Sequence, residues 1–216
     1  MCALIVLARH GEIDKHVPRR FLGQTDLPLN PRGIAQAARL GQHLAGVGFN
    51  RVYASPMQRA HQTATLISGR SAPAVETVEA FKEINLGEWE GLTVAEVQQH
   101  FPGEYERRGQ QLEHVRPRAG ESFGDLAARC YPALLELAAT MGECERVLVV
   151  AHAGVNRVLL ARLSNRPLQE LLTIPQDYCA INLIGANSQG FQVAAINLGE
   201  DADLTLLINS YQHDNA

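Results

Sequence analysis

No apolar stretch in this chain approaches 18 residues, so no segment has the length to cross a bilayer as a helix. The four cysteines, Cys2, Cys130, Cys144 and Cys179, are scattered and form no C-x-x-C pair, which argues against a metal knuckle or a dithiol redox motif. Four such residues in 216 suit a reducing compartment better than a disulfide framework. Neither sign of charge dominates: 19 basic against 23 acidic side chains leave a formal charge of −4. That balance gives no electrostatic footprint for DNA or RNA, and no basic run suits an anionic membrane. The apolar N-terminus has no basic leader and meets Arg9 too soon for a signal peptide. There is no linker, low-complexity tract or repeat of fixed period. These absences predict a soluble, cytoplasmic protein, a monomer or homodimer, with no nucleic-acid or membrane partner.

What is present is a globular composition, 46% apolar. A chain of this size buries roughly 70% of its unfolded surface, so a full core is available. Ala3 to Ala8 is apolar at every position, the pattern of a strand buried on both faces. Residues 12–30 are polar and broken by Pro18, Gly23 and Pro28, and read as a long loop. Asn30-Pro31 opens a helix, Asn as N-cap and Pro in the first turn, with Ile34, Ala37, Ala38, Leu40, Gly41 and Leu44 at helical spacing. Arg51 to Ala54 is a short strand. Ser55-Pro56 repeats the helix-start chemistry, and a helix to about Ser68 follows. Residues 75–78 are a candidate strand.

Residues 79–120 are less regular, with short helices near 93–100 and 103–113. A long helical pattern follows Gly120-Glu121-Ser122 through Leu126, Cys130, Leu134 and Leu137. Val147 to Val150 form a second fully apolar strand, with a helix from about Val155 to Leu163. Two strands, 179–184 and 191–198, flank a Gly185–Gly190 turn, and the last residues read as a loose tail. Strands alternating with helices predict an α/β sandwich with a mostly parallel sheet. The chain reads as one domain, residues 1–216, with 79–120 as an irregular insertion able to roof a site.

Two of the strands end alike. Leu7-Ala8-Arg9-His10-Gly11 is echoed by Val150-Ala151-His152-Ala153-Gly154. In open α/β sheets ligands bind outside the carboxyl ends of the strands, so both histidines belong to that edge. Arg59, in the first turn of the helix after Ser55, and Arg9 add two guanidiniums, and helix N-termini add free N–H groups. Such a volume repels a metal and holds a phosphoryl group, which arginine forks match in a bidentate way. A histidine there can act as nucleophile, and an acid is needed for the leaving alcohol. Glu83, Glu88 and Glu90 are the candidates, and spacing does not choose among them. Trp89 reads as a packing anchor for the roof. Glu121 and Ser122 read as caps of the next helix, with a pocket contact open. Arg116 and Arg118 are candidate substrate contacts, though a solvated basic loop is the simpler reading.

The ordered set resembles the histidine phosphatase superfamily, with its phosphoglycerate-mutase-like fold. R-H-G-E matches at Arg9 to Glu12, G-x-x-D-x-P-L at Gly23 to Leu29, and S-P-x-x-R-x-x-Q-T-A at Ser55 to Ala64. E-I-x-x-G-x-W-E-G matches at Glu83 to Gly91, and the second histidine segment at Val150 to Gly154. The resemblance implies a three-layer α/β/α fold with a mixed sheet; no cofactor or metal is expected. It implies His10 as nucleophile, Arg9, Arg59 and His152 as phosphate ligands, and Glu83 as proton donor. Gly23, Gln24 and Ala153, within the matching segments, are carried as substrate-binding candidates.

The chain departs from the family pattern at Ile13, where Ser or Thr is usual, and at His16, where an Asn that helps hold phosphate is usual. His16 is the candidate replacement donor. The Glu83 to Gly91 segment together with Gly120-Glu121-Ser122 resembles the small phosphatase branch, which includes α-ribazole phosphatase and broad-specificity enzymes. The expected activity is hydrolysis of a small phosphorylated metabolite through a phosphohistidine on His10. The alternatives are mutase-type transfer and a catalytically silent phosphate-binding domain.

Overall fold

The computed structural model describes residues 3–14, 17–187, 190–199 and 202–214. The N-terminal apolar run is strand β1 (Ala3–Arg9), with Leu4, Ile5, Val6 and Leu7 fully buried. A strand sends alternate side chains to opposite faces. Ile5 and Leu7 enter one core cluster; Leu4, Val6 and Ala8 enter another. A run that is apolar at every position is thus a strand covered on both sides. Burial of each large side chain contributes about 1.5–3 kcal/mol.

Helix α1 (Pro31–His43) begins as its sequence dictates: Asn30 Oδ1 accepts the Gly33 N–H at 2.8 Å and Pro31 takes the first position. Strand β2 (Arg51–Ala54) and helix α2 (Gln58–Ser68) follow. Ser55 does not cap α2. The helix opens later, with Met57 at the N-cap position and no side-chain cap, because the Ser55 hydroxyl is engaged elsewhere. Strand β3 is only Glu76–Thr77. Residues 79–120 hold 3-10 turns at Glu79–Phe81 and Gly87–Trp89 and two short helices, α3 (Val94–His100) and α4 (Glu104–Gln110).

Helix α5 (Phe123–Ala139) starts from a reciprocal capping box between Ser122 and Asp125. Strand β4 (Arg146–Ala151) leads into α6 (Ala153–Leu163), which starts two residues before the expected Val155. Strands β5 (Ile181–Asn187) and β6 (Gly190–Leu198) form a hairpin. Gly185 lies inside β5 and not in the turn: its backbone pairs with Leu4 and Gln192, and ladder bonds need no side chain. The expected loose tail is a helix, α7 (Leu204–Asp214). Leu204 and Ile208, four apart, bury one face of it, while exposed Leu206 and Leu207 blur that periodicity in the sequence.

The sheet order is β3-β2-β4-β1-β5-β6. The β3–β2, β2–β4 and β4–β1 pairs are parallel, and β5 runs antiparallel to both its neighbours. Helices α1, α2 and α7 pack on one face; α5, α6 and the apolar residues of 81–112 pack on the other. The result is a three-layer α/β/α architecture around a mixed sheet.

The turn after β1 is packed backbone to backbone on the start of α1. A Cβ on Gly33 would stand 2.1 Å from the Glu12 carbonyl oxygen, and one on Gly11 would stand 2.6 Å from that of Gly33. Gly33→Ala is expected to lower stability by about 1–3 kcal/mol, since neither backbone can yield cheaply. Urea unfolding measures this; an unchanged midpoint would contradict the close approach.

Candidate active site

The parallel pairing of β1 with β4 sets Arg9 opposite Ala151, and the residue after each is a histidine. The His10 N–H donates to the Ala151 carbonyl at 3.1 Å, and the His10 and His152 ring centroids lie 5.1 Å apart. Both imidazoles are buried, His152 completely. His10 Nδ1 stands 2.7 Å from the Gly11 carbonyl oxygen. A carbonyl only accepts, so Nδ1 carries the proton and Nε2 keeps a lone pair. Burial first, then the Arg59 and Arg9 charges, hold the His10 pKa well below its ordinary 6.5. The same directions apply to His152, through burial, His10 and the two arginines.

Ser55 Oγ lies 2.7 Å from His152 Nε2 and accepts the Met57 N–H at 3.3 Å. Among the described residues no other acceptor meets this buried hydroxyl, so its proton goes to Nε2. The imidazole proton is then on Nδ1, which makes no hydrogen bond among the described residues. That engagement is what removed Ser55 from capping α2.

Arg59, in the first turn of α2, is 3% exposed and donates to the Thr25 and Gly23 carbonyls at 2.8 and 2.9 Å. Arg9 donates to the Gln176 carbonyl and lies against the Tyr178 ring, its Cζ 3.8 Å from the centroid. Among the described residues neither guanidinium is in an ion pair, and burial lowers both pKa values below the ordinary guanidinium value. Thr63 ties the two sides together. It accepts the Gly11 N–H at 3.0 Å and donates to the Arg59 carbonyl at 2.6 Å.

The three roof carboxylates separate cleanly. Glu83 accepts from the Gly154 N–H at 3.1 Å and the Ile84 N–H at 2.9 Å, which seats it on the N-terminus of α6 within electrostatic reach of Arg9 and Arg59. A Cβ on Gly154 would stand 2.4 Å from Glu83 Oε1, so glycine is what lets the carboxylate approach. Glu90 instead clamps the loop at the Gln24 and Thr25 N–H groups, at 2.7 and 3.3 Å, and at the Thr25 hydroxyl. Glu88 is exposed. The Glu83 carbonyl is fixed by Gln24 Nε2 at 2.9 Å and Arg129 Nη2 at 3.0 Å, and Arg129 is bidentate to Glu121.

Of the sequence candidates, Arg9, His10, Arg59, Glu83 and His152 therefore converge on one pit. Gly23 serves it through a carbonyl on Arg59, Gln24 through the Glu83 backbone, and Ala153 opens α6. Gln24 also lines a shallow neighbouring pocket with Asp26, Pro56, Met57 and Lys82. His16 lies outside the described residues. Arg116 pairs with Asp125, and Arg118 lies 3.2 Å from Glu104; these contacts commit both away from the pit. Trp89 is core, its ring tilted against those of Phe21 and Tyr105. Sequence reasoning missed Tyr178, Thr63 and Arg129, and read Ser55 as a cap. The S-P-x-x-R-x-x-Q-T-A segment contains both Ser55 and Thr63 and was the one signal for them; nothing local marks Tyr178 or Arg129.

Comparison with known proteins agrees with this geometry. Residues 5–199 match the model of the histidine phosphatase superfamily (branch 1). The chain is 30% identical over 192 residues to the adenosylcobalamin/alpha-ribazole phosphatase of Escherichia coli (strain K12), covering 88% of this chain and 94% of that one. It is 32% identical over 181 residues to the 2,3-bisphosphoglycerate-dependent phosphoglycerate mutase 2 of Gloeobacter violaceus, with 82% and 83% covered. Among solved structures, the mycobacterial glucosyl-3-phosphoglycerate phosphatase superposes with a TM-score of 0.82 at 26% identity, over 92% of this chain and 100% of that one. With two histidines and two arginines at one sheet edge and a family match over residues 5–199, the chain belongs to the histidine phosphatase superfamily, branch 1.

Proposed function

We propose that this protein is a metal-independent phosphomonoesterase that hydrolyses a small phosphorylated metabolite through a phosphohistidine on His10. The observation that carries the reading is the pair of imidazoles 5.1 Å apart beside the half-buried Arg9 and the buried Arg59, neither of them in an ion pair among the described residues. A pit so charged favours a dianion. Small phosphate esters are the substrates that the names of two relatives describe, alpha-ribazole phosphatase and glucosyl-3-phosphoglycerate phosphatase.

In the first step His10 Nε2 attacks phosphorus and the bond to the leaving oxygen breaks. Arg9, Arg59 and the His152 Nδ1–H hold the non-bridging oxygens as charge spreads over them. Glu83, as general acid, gives the departing alkoxide its proton. In the second step water attacks the phosphohistidine, Glu83 takes the water proton, and inorganic phosphate leaves with His10 Nε2 restored. The depressed His10 pKa keeps the lone pair free through the neutral range.

His10→Ala is expected to abolish release of phenolate from p-nitrophenyl phosphate in EDTA and to abolish an acid-labile phosphoprotein intermediate. Full activity in that variant would end the reading. Glu83→Gln should lower kcat about 10²–10⁴-fold on an alkyl phosphate and less on the nitrophenyl ester, whose leaving group needs no proton. Equal losses on both would remove Glu83 as donor. With 3-phosphoglycerate and a trace of bisphosphate, isomerisation without phosphate release would move the reading to mutase-type transfer.

The two histidines also set a pH dependence of stability. Their folded pKa values are below the ordinary 6.5, so as pH falls through 6.5 the unfolded chain binds protons that the native chain refuses. Stability is therefore fully present above about 6.5 and falls with further acidification, by up to about 1.4 kcal/mol per histidine per pH unit. Denaturant unfolding between pH 7 and 5 should show this, with a shallower decline in a His10→Asn/His152→Asn double variant. Parallel declines would show that the histidines are not its source.

A further inference from the structure

Residues 174–180, ahead of β5, grip Arg9 from two directions. The Gln176 carbonyl accepts from Arg9 Nη1, and the Tyr178 ring covers the guanidinium face at 3.8 Å. The same ring lies 5.7 Å from that of His10. Backbone bonds seat the segment along the end of β1: Arg9 N–H to the Ala180 carbonyl at 3.1 Å, and Cys179 N–H to the His10 carbonyl at 3.3 Å.

A network of amide side chains holds the segment in place. Gln176, Asn156 and Asn182 are buried. Asn156 Nδ2 donates to Gln176 Oε1 at 2.9 Å, and Gln176 Nε2 to Asn182 Oδ1 at 2.8 Å. Asn182 stands where the β5–β6 register shifts, and its Nδ2 reaches the Leu7 carbonyl of β1 at 2.9 Å. Asn197, at a left-handed φ of 58°, grips Asp177 twice, accepting its N–H at 2.7 Å and donating to its carboxylate at 2.8 Å. Gln176 and Asn182 are bonded at both ends of their amides, as buried amides require, while Asn156 is held through its Nδ2 alone among the described residues. A segment that only connected two elements would not need this set.

We propose that Tyr178 is a positioning residue for phosphoryl transfer: its ring clamps the Arg9 guanidinium flat against the Gln176 carbonyl, so that the remaining N–H groups face the phosphoryl group beside His10. The donors of a guanidinium lie in its plane, so stacking on its face occupies none of them. Arg9 Nε is buried and makes no hydrogen bond among the described residues. Without the ring, a long side chain held by one carbonyl regains rotamers and loses the fork geometry that a phosphoryl group needs. This inference rests on the phosphatase reading of the pit.

The test is a set of variants assayed for p-nitrophenyl phosphate turnover and, separately, for orthovanadate affinity by calorimetry. Tyr178→Leu should lower both kcat/KM and vanadate affinity about ten-fold, the size of a half-buried cation–π contact. Tyr178→Phe, which keeps the ring, should stay within about two-fold of the parent. In an Arg9→Lys background Tyr178→Leu should cost less than about two-fold, because the group it positions is already gone. Tyr178→Met serves in the same comparisons if the leucine variant does not fold.

Parent-like behaviour of Tyr178→Leu overturns the proposal. So does a Tyr178→Phe loss as large, which would make the hydroxyl the operative group, or fully multiplicative losses in the double variant. A parent enzyme that binds vanadate without turning over any ester defeats the phosphatase reading alone, and the affinity arm still decides on Tyr178. A parent that binds no vanadate defeats both.

Discussion

Arg9 pairs with Ala151 across two parallel strands, and everything at the site hangs on that register. A parallel pair brings its two carboxyl ends out on the same side, so the residues that follow leave the sheet together. Here both are histidines. A shift of one residue would send one imidazole to the opposite face of the sheet. The register is held by strands buried on both faces, where alternate side chains of β1 and β4 fill two separate cores. The hydrophobic packing that stabilises the fold therefore also fixes the spacing of the two rings.

The electrostatics of the pit follow from how its cations are held. Arg59 is satisfied by two backbone carbonyls, and Arg9 by one carbonyl and an aromatic face. Carbonyls supply hydrogen bonds without cancelling charge. Positive charge is retained next to two imidazoles, and together with burial it keeps them neutral. Carboxylate partners on the arginines would have satisfied the same donors and removed the attraction for an anion. Unpaired buried charge costs stability, and the surrounding core supplies the margin.

The acid side of the site is assembled from three parts of the chain. Glu83 is seated on the first turn of α6 by the Gly154 N–H, its carbonyl is held by Gln24 from the 23–25 loop, and Arg129 on α5 holds that carbonyl and braces Glu121. Glu90 secures the 23–25 loop in turn. Two carboxylates seven residues apart thus have different tasks. One faces the pit; the other ties down the loop whose carbonyls hold Arg59.

By itself the sequence determined the α/β class, the buried strands, the caps at Asn30 and Ser122, and the identity of the residues that meet at the sheet edge. These are legible because periodicity, cap chemistry and ordered motifs are local properties. Where spacing left Glu83, Glu88 and Glu90 open and only the family resemblance singled out Glu83, tertiary structure brings Glu83 to the pit through the backbone N–H groups that its carboxylate finds after folding. It also turned Ser55 from a helix cap into the partner of His152, brought Tyr178 onto Arg9, and formed α7 from a stretch whose exposed leucines hide its buried face. Those outcomes join residues about 100 to 170 positions apart or depend on which face of a helix finds a core, and no short-range pattern encodes either.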